Sequence, residues 1–129
     1  TLFRSKQIFL TEIEVNTEDL TTSKVDEEFL KKAVAFVEKN LDNNDYSVEL
    51  FSDDMCMSRM NLYRKLQSIT GQKPTEFIRS IRLKKAARLL TDTDLSIVEI
   101  SEKVGFATPS YFSKCFKEMF GVLPTQYHK

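Results

Sequence analysis

The sequence holds only three glycines and three prolines in 129 residues. So few turn-formers argue against a turn-rich all-β fold. Cysteine is scarce too. Cys56 and Cys115 stand far apart, without the CxxC spacing of a metal or redox motif. They read as reduced structural thiols, with a disulfide or redox pair as the weaker alternative. The single histidine, His128, sits next to the C-terminus. That leaves nothing from which to assemble a His-based metal site or a Ser/His triad. No apolar run reaches the ~18 residues of a membrane span, and no signal peptide is visible. Gly-rich phosphate loops and nucleophile motifs are missing, and the carboxylates form no recognisable catalytic pair. Neither enzymatic activity nor a cofactor or metal is therefore expected. The chain opens on Thr1 rather than Met, and is expected to be a piece of a longer protein.

What is present is an ordinary apolar fraction, 41%, rich in Phe. It can build one domain core, or two small helical lobes sharing a connecting helix. The formal net charge is zero, but its distribution is uneven. Residues 1–57 hold six Lys/Arg against thirteen Asp/Glu, and residues 58–129 hold thirteen against six. An acidic front thus precedes a basic back, the kind of surface a polyanion partner needs.

Residues 1–25 differ from the rest. Ile8 to Val15 is β-branched and partly alternating, which predicts a short strand. Thr17 to Ser23 reads as a linker. Ile8, Phe9, Leu10, Ile13 and Val15 have no obvious core partner, so this arm is expected to support a homodimer. From Asp26 the signals turn helical. Asp26-Glu27-Glu28 suits a helix start, and Phe29, Leu30, Ala33, Val34, Val37 and Leu41 recur at helical spacing. Ser47, Ser58, Ser96 and Thr108-Pro109 read as N-caps, and Gly71, Gly105 and Gly121 as stops. A long helix is expected from about Thr75 to Leu90, and a last short turn at Leu123-Pro124-Thr125. The expected fold is all-α, with about seven helices and a short extended N-terminal arm.

The body of the chain repeats itself. Ser47-Val48 matches Ser96-Ile97, Phe51-Ser52 matches Ile100-Ser101, and Met55 matches Val104, all at an offset of 49. Beyond the turn the offset is 50: Leu62 matches Phe112, Leu66 matches Phe116, Gly71 matches Gly121, and Pro74-Thr75 matches Pro124-Thr125. Each copy is a short helix, a tight turn and a longer capped helix, which is helix-turn-helix architecture. The first unit falls at about 47–71, the linker helix at 75–90, and the second unit at 96–121.

In such a unit the second helix enters the major groove with its N-terminal residues at the base edges. In the first unit Leu62, Leu66 and Ile69 form the inward stripe. Met60, Tyr63 and Arg64 lie on the other side, with Arg59 and Asn61 near the tip. In the second unit Phe112, Cys115, Phe116 and Met119 point inward, and Pro109, Ser110, Ser113 and Lys114 point out. Arg64 and Lys114 can donate to guanine O6 and N7. Met60 and Pro109 have no side-chain donor and would read bases by apolar contact. The helix starts at Ser58 and Thr108 can offer N–H groups to phosphates. Arg59, Tyr111 and Lys117 are assigned to the DNA backbone with them. Arg79, Arg82, Lys85 and Arg88 recur every three residues along the linker helix, and Arg82 and Lys85 are expected on phosphates. Ordinary solubilising charge is the bland account of that stripe. A linker of sixteen residues is about 24 Å long. With its flanking turns it would set the reading helices roughly one DNA turn, ~34 Å, apart. The alternative function is a helical protein-interaction module whose basic face meets an acidic protein.

These residues resemble the AraC/XylS-type DNA-binding domain over about residues 26–129. The resemblance rests on Ser47-Val48 through Gly71, on Pro74-Thr75-Glu76-Phe77-Ile78-Arg79 with Arg82-Leu83-Lys84-Lys85-Ala86-Ala87, and on Val104-Gly105-Phe106 through Pro124. It implies a transcription activator that works with RNA polymerase on double-stranded DNA. It also implies base contacts at Met60, Tyr63, Arg64, Pro109, Ser110, Ser113 and Lys114. Leu30-Lys31-Lys32-Ala33, Asp45-Tyr46-Ser47-Val48 and Met57-Ser58-Arg59 further resemble output domains of Bacteroidetes hybrid two-component sensors. That likeness implies a receiver domain upstream in the same chain, control of carbohydrate-use genes, and a cytoplasmic module in a protein anchored in the inner membrane. One residue departs from the family pattern. Cys56 stands in the first turn where the family usually has Gly, as Gly105 does in the second. Cysteine adopts positive φ at a cost that glycine avoids.

Overall fold

The structure, a computed structural model, describes residues 24–127. The expected strand at 8–15, the linker at 17–23, the apolar residues of the dimer-forming arm and His128 lie outside the described residues, whereas Lys24 and Val25 of the expected arm open the first helix. Six α-helices follow in order: α1 Lys24–Lys39, α2 Val48–Asp54, α3 Arg59–Thr70, α4 Pro74–Asp92, α5 Ile97–Lys103 and α6 Pro109–Phe120. A 3-10 turn, Pro124–Gln126, completes the described part, which contains no strand. The fold is all-α, with α2–α3 and α5–α6 as the two helix-turn-helix units on either side of α4.

The helix starts are set locally. Ser47, Ser58, Ser96 and Thr108 have extended backbones. Their side-chain oxygens accept from the N–H three residues on, at 3.3, 3.1, 3.1 and 3.1 Å. A cap of this kind contributes about 1 kcal/mol. Helix α4 begins one residue earlier than expected, on Pro74. Proline fits there because the first helical N–H has no partner to lose.

The turn inside each unit follows one hydrogen-bond pattern. Cys56 N–H donates to the Asp53 carbonyl and Met57 N–H to that of Ser52; Gly105 N–H donates to Glu102 and Phe106 N–H to Ser101. Both are Schellman closures, which need a left-handed residue just past the helix. Cys56 supplies it at φ 57° and Gly105 at φ 83°. A side chain in that region costs roughly 1–2 kcal/mol. Cys56 is exposed, so little burial is lost on removing its side chain. Cys56→Gly is therefore expected to stabilise the domain by about 0.5–1 kcal/mol, after the greater chain entropy of glycine is subtracted. Urea unfolding would read this as a higher midpoint. An unchanged or lower midpoint would show that the turn is not strained.

Two apolar cores lie along α4. The first gathers Leu30, Ala33, Val37, Phe51, Leu62 and Leu66 around Phe77, Ile78 and Ile81 of α4. Phe77 stacks on Phe51 with centroids 6.0 Å apart. At the edge of this core Tyr46 donates from its hydroxyl to Asp54 Oδ2 at 2.7 Å. Burial, and then the Asp54 carboxylate, push that hydroxyl well above the ordinary tyrosine value. The second core packs Ile100, Val104, Phe106, Phe112, Cys115 and Phe116 against Leu83, Ala86 and Ala87 of α4. The two lobes enclose α4 from different sides. Ser80, Arg82 and Leu83 are therefore buried along with Phe77, Ile78, Ile81, Ala86 and Ala87. No helix among the described residues is long and apolar enough to cross a membrane.

Candidate nucleic-acid interface

The inward phase of each reading helix fixes what its other side presents. Helix α3 buries Leu62, Leu66 and Thr70. Ser58, Arg59, Met60, Asn61, Tyr63 and Arg64 are all exposed. Met60 is 63% open and Tyr63 42% open, so neither is engaged in holding the core. Arg64 Nη2 lies 3.3 Å from Met60 Sδ, one turn back. The guanidinium is thus laid along the helix toward its N-terminal tip.

Helix α6 repeats the arrangement. Phe112, Cys115, Phe116 and Met119 are buried. Thr108, Pro109, Ser110, Lys114 and Lys117 are exposed, and Ser113 is half-buried. Tyr111 is exposed, but its ring also leans on Phe106 at 5.8 Å between centroids. The two tips differ chemically. The first turn of α3 can offer the N–H groups of Arg59 and Met60, which have no carbonyl partner within the helix. In α6 Pro109 has no N–H, so its first turn can offer only that of Ser110.

The connecting helix departs from the expectation. Arg82 is only 5% exposed and does not present itself to a phosphate. Its Nη1 donates to the carbonyls of Leu41 at 2.5 Å and Val104 at 2.7 Å, and its Nη2 to that of Asn43 at 2.9 Å. Burial lowers the guanidinium pKa from its ordinary value, and the charge of Asp42 opposes that shift. Arginine stays charged in either case. Arg82 is thus a structural bridge between the lobes rather than a backbone contact. Lys85 is exposed, yet the groove it lines is shared with Glu38, Asp42 and Lys103 and includes no reading-helix residue.

A cleft of about 370 Å³ opens between the lobes, bordered by Asn44, Ser47, Thr75, Arg79, Phe106 and Tyr111. It joins the start of α2, one face of α4 and the start of α6. Arg79, in the basic stripe of the linker helix and outside the expected DNA contacts, borders this cleft. Its signal was available: Thr75, Arg79 and Arg82 follow at i, i+4 and i+7, which is one helix face.

Residues 51–129 match the family described as a helix-turn-helix domain. This chain belongs to the AraC-type helix-turn-helix family. It is a DNA-binding domain of the kind carried by AraC-type transcription regulators, which favours DNA over an acidic protein as the partner of its basic half. It is 42% identical over 124 residues to Histidine kinase P4 of Formosa agariphila, covering 96% of this chain and 9% of that protein. It spans less than a third of the length of curated transcription regulators that it also matches. Its structure is similar to the C-terminal domain of AraT, a response regulator from Geobacillus stearothermophilus, at a TM-score of 0.71 and 32% identity, covering 84% of each chain. It is also similar to the DNA-binding domain of AdpA, a global transcriptional factor solved with a target DNA. There the TM-score is 0.69 at 29% identity, covering 75% of this chain and 86% of that one.

Proposed function

We propose that residues 26–129 form the DNA-reading output module of a two-component signalling protein that activates transcription. The observation that carries this reading is the pair of exposed reading-helix tips, one on each lobe, mounted on a single helix. In the proposal Met60, Tyr63 and Arg64 read one major groove, and Pro109, Ser110, Ser113 and Lys114 read the next. Ser58, Arg59, Thr108, Tyr111 and Lys117 hold the DNA backbone. Similarity to a histidine kinase across nearly the whole chain, and to a response regulator's C-terminal domain, supports a receiver domain upstream. RNA polymerase is then the partner on DNA, and residues 1–25 join two copies.

The test is selection of bound duplexes from a random pool, followed by a salt titration of the winner. Counterion release predicts a steep, linear fall of log affinity with log salt. A sequence preference must survive that fall. Binding without any preference among pool members would defeat the proposal. Sedimentation at micromolar concentration checks the pairing of copies, and a monomer there would refute it.

A further inference from the structure

Arg82 occupies the point on α4 where one core gives way to the other. Ile81, just before it, packs into the first core, and Leu83, just after it, into the second. Its guanidinium reaches Leu41 and Asn43, in the loop that leads into the first unit, and Val104, at the end of α5 in the second. A planar guanidinium carries five donors in a fixed fork, so its partners cannot slide past one another without losing a bond. The charge is buried, and breaking the bond to the buried Val104 carbonyl strands a polar group away from water. Gly105 completes the seat: a β-carbon there would fall on Arg82 Nη1 and on the Leu41 carbonyl.

We propose that Arg82 is a positioning residue that sets the spacing and angle between the two reading helices, and so selects the distance between the two half-elements of the operator. This rests on the DNA-binding reading above. One base pair added between half-elements moves the second by roughly 3.4 Å and a tenth of a turn. A clamped pair of lobes cannot follow that change, and a loosened pair can.

The experiment measures binding of the intact protein to its selected duplex and to duplexes with one or two base pairs inserted between the half-elements. Wild type is expected to lose at least about tenfold in affinity per insertion, because simultaneous engagement fails. Arg82→Met is expected to bind the parent duplex more weakly and to lose less than about threefold on insertion. Arg82→Lys should fall between, since an ammonium lacks the fork. The salt dependence should be unchanged in both variants. A full insertion penalty in Arg82→Met would overturn the proposal. So would a salt slope lowered by about one, the signature of a lost phosphate contact. Loss of folding by both variants, seen as lost helical circular dichroism, would also overturn it by assigning Arg82 to the cores themselves. A DNA-free measurement separates this proposal from the DNA reading. Spin labels on exposed Cys56 and on Glu118→Cys should give one narrow distance in wild type and a broadened one in Arg82→Met. An unchanged distribution would refute the clamp whether or not the protein prefers a DNA sequence.

Discussion

Gly105→Ala is expected to destabilise the domain by about 4 kcal/mol, read as a large fall in the urea midpoint. Two costs add. The left-handed backbone at φ 83° charges alanine roughly 1–2 kcal/mol. The new methyl would also occupy the place of Arg82 Nη1, and the displaced guanidinium would leave the buried Val104 carbonyl unpaired at about 1–3 kcal/mol. The two costs can be separated. In an Arg82→Met background the second is already lost, so the same alanine should cost only the backbone part and its clash with the Leu41 carbonyl. A coupling of about 2 kcal/mol between the two positions is therefore expected. If Gly105→Ala cost the same in both backgrounds, the seat of Arg82 would not depend on the glycine.

Arg64→Ala and Lys114→Ala are each expected to weaken binding to the selected operator by about 1–3 kcal/mol, on the order of 5- to 150-fold. Both side chains are exposed, so helix content and thermal midpoint should stay within the usual range of surface changes. The residues sit on different lobes and share no partner, so the double variant should show the sum to within about 0.5 kcal/mol. Binding to random duplex should change far less. Equal losses on operator and random DNA would move both residues from base reading to phosphate contact. Arg64 has an added constraint in its contact with Met60 Sδ. If that contact orients the guanidinium, Met60→Ala should weaken recognition at the same base pair.

Local features were the most legible in the sequence. The caps at Ser47, Ser58, Ser96 and Thr108 act over three residues, and each accepts the N–H that its position dictates. The outward sides of α3 and α6 follow from the phase of Leu62–Leu66 and Phe112–Phe116, because a helix turns about 100° per residue. Cys56 was legible as a misfit for the same reason: its place in the repeat demands a left-handed backbone, and the structure gives it one. The linker stripe was not legible. A spacing of three falls short of a helical turn by about 60°, so Arg79 and Arg88 end about 180° apart around the axis. The row winds around α4 instead of forming a face. Which of its members is buried depends on where Leu41, Asn43 and Val104 come to lie, and those are long-range contacts that no local pattern encodes. The burial of Ser80 and Leu83 was hidden in the same way, since only the enclosure of α4 by two lobes accounts for it.

The sharing of α4 between two cores bears on how the molecule opens. If one lobe loosens transiently, the peptide groups at the middle of α4, around Arg82, remain screened by the other. Their amide hydrogens exchange with solvent only when both lobes open together, so they should be the slowest in the domain. The residue that holds the lobes in register thus sits at the place least exposed to local unfolding.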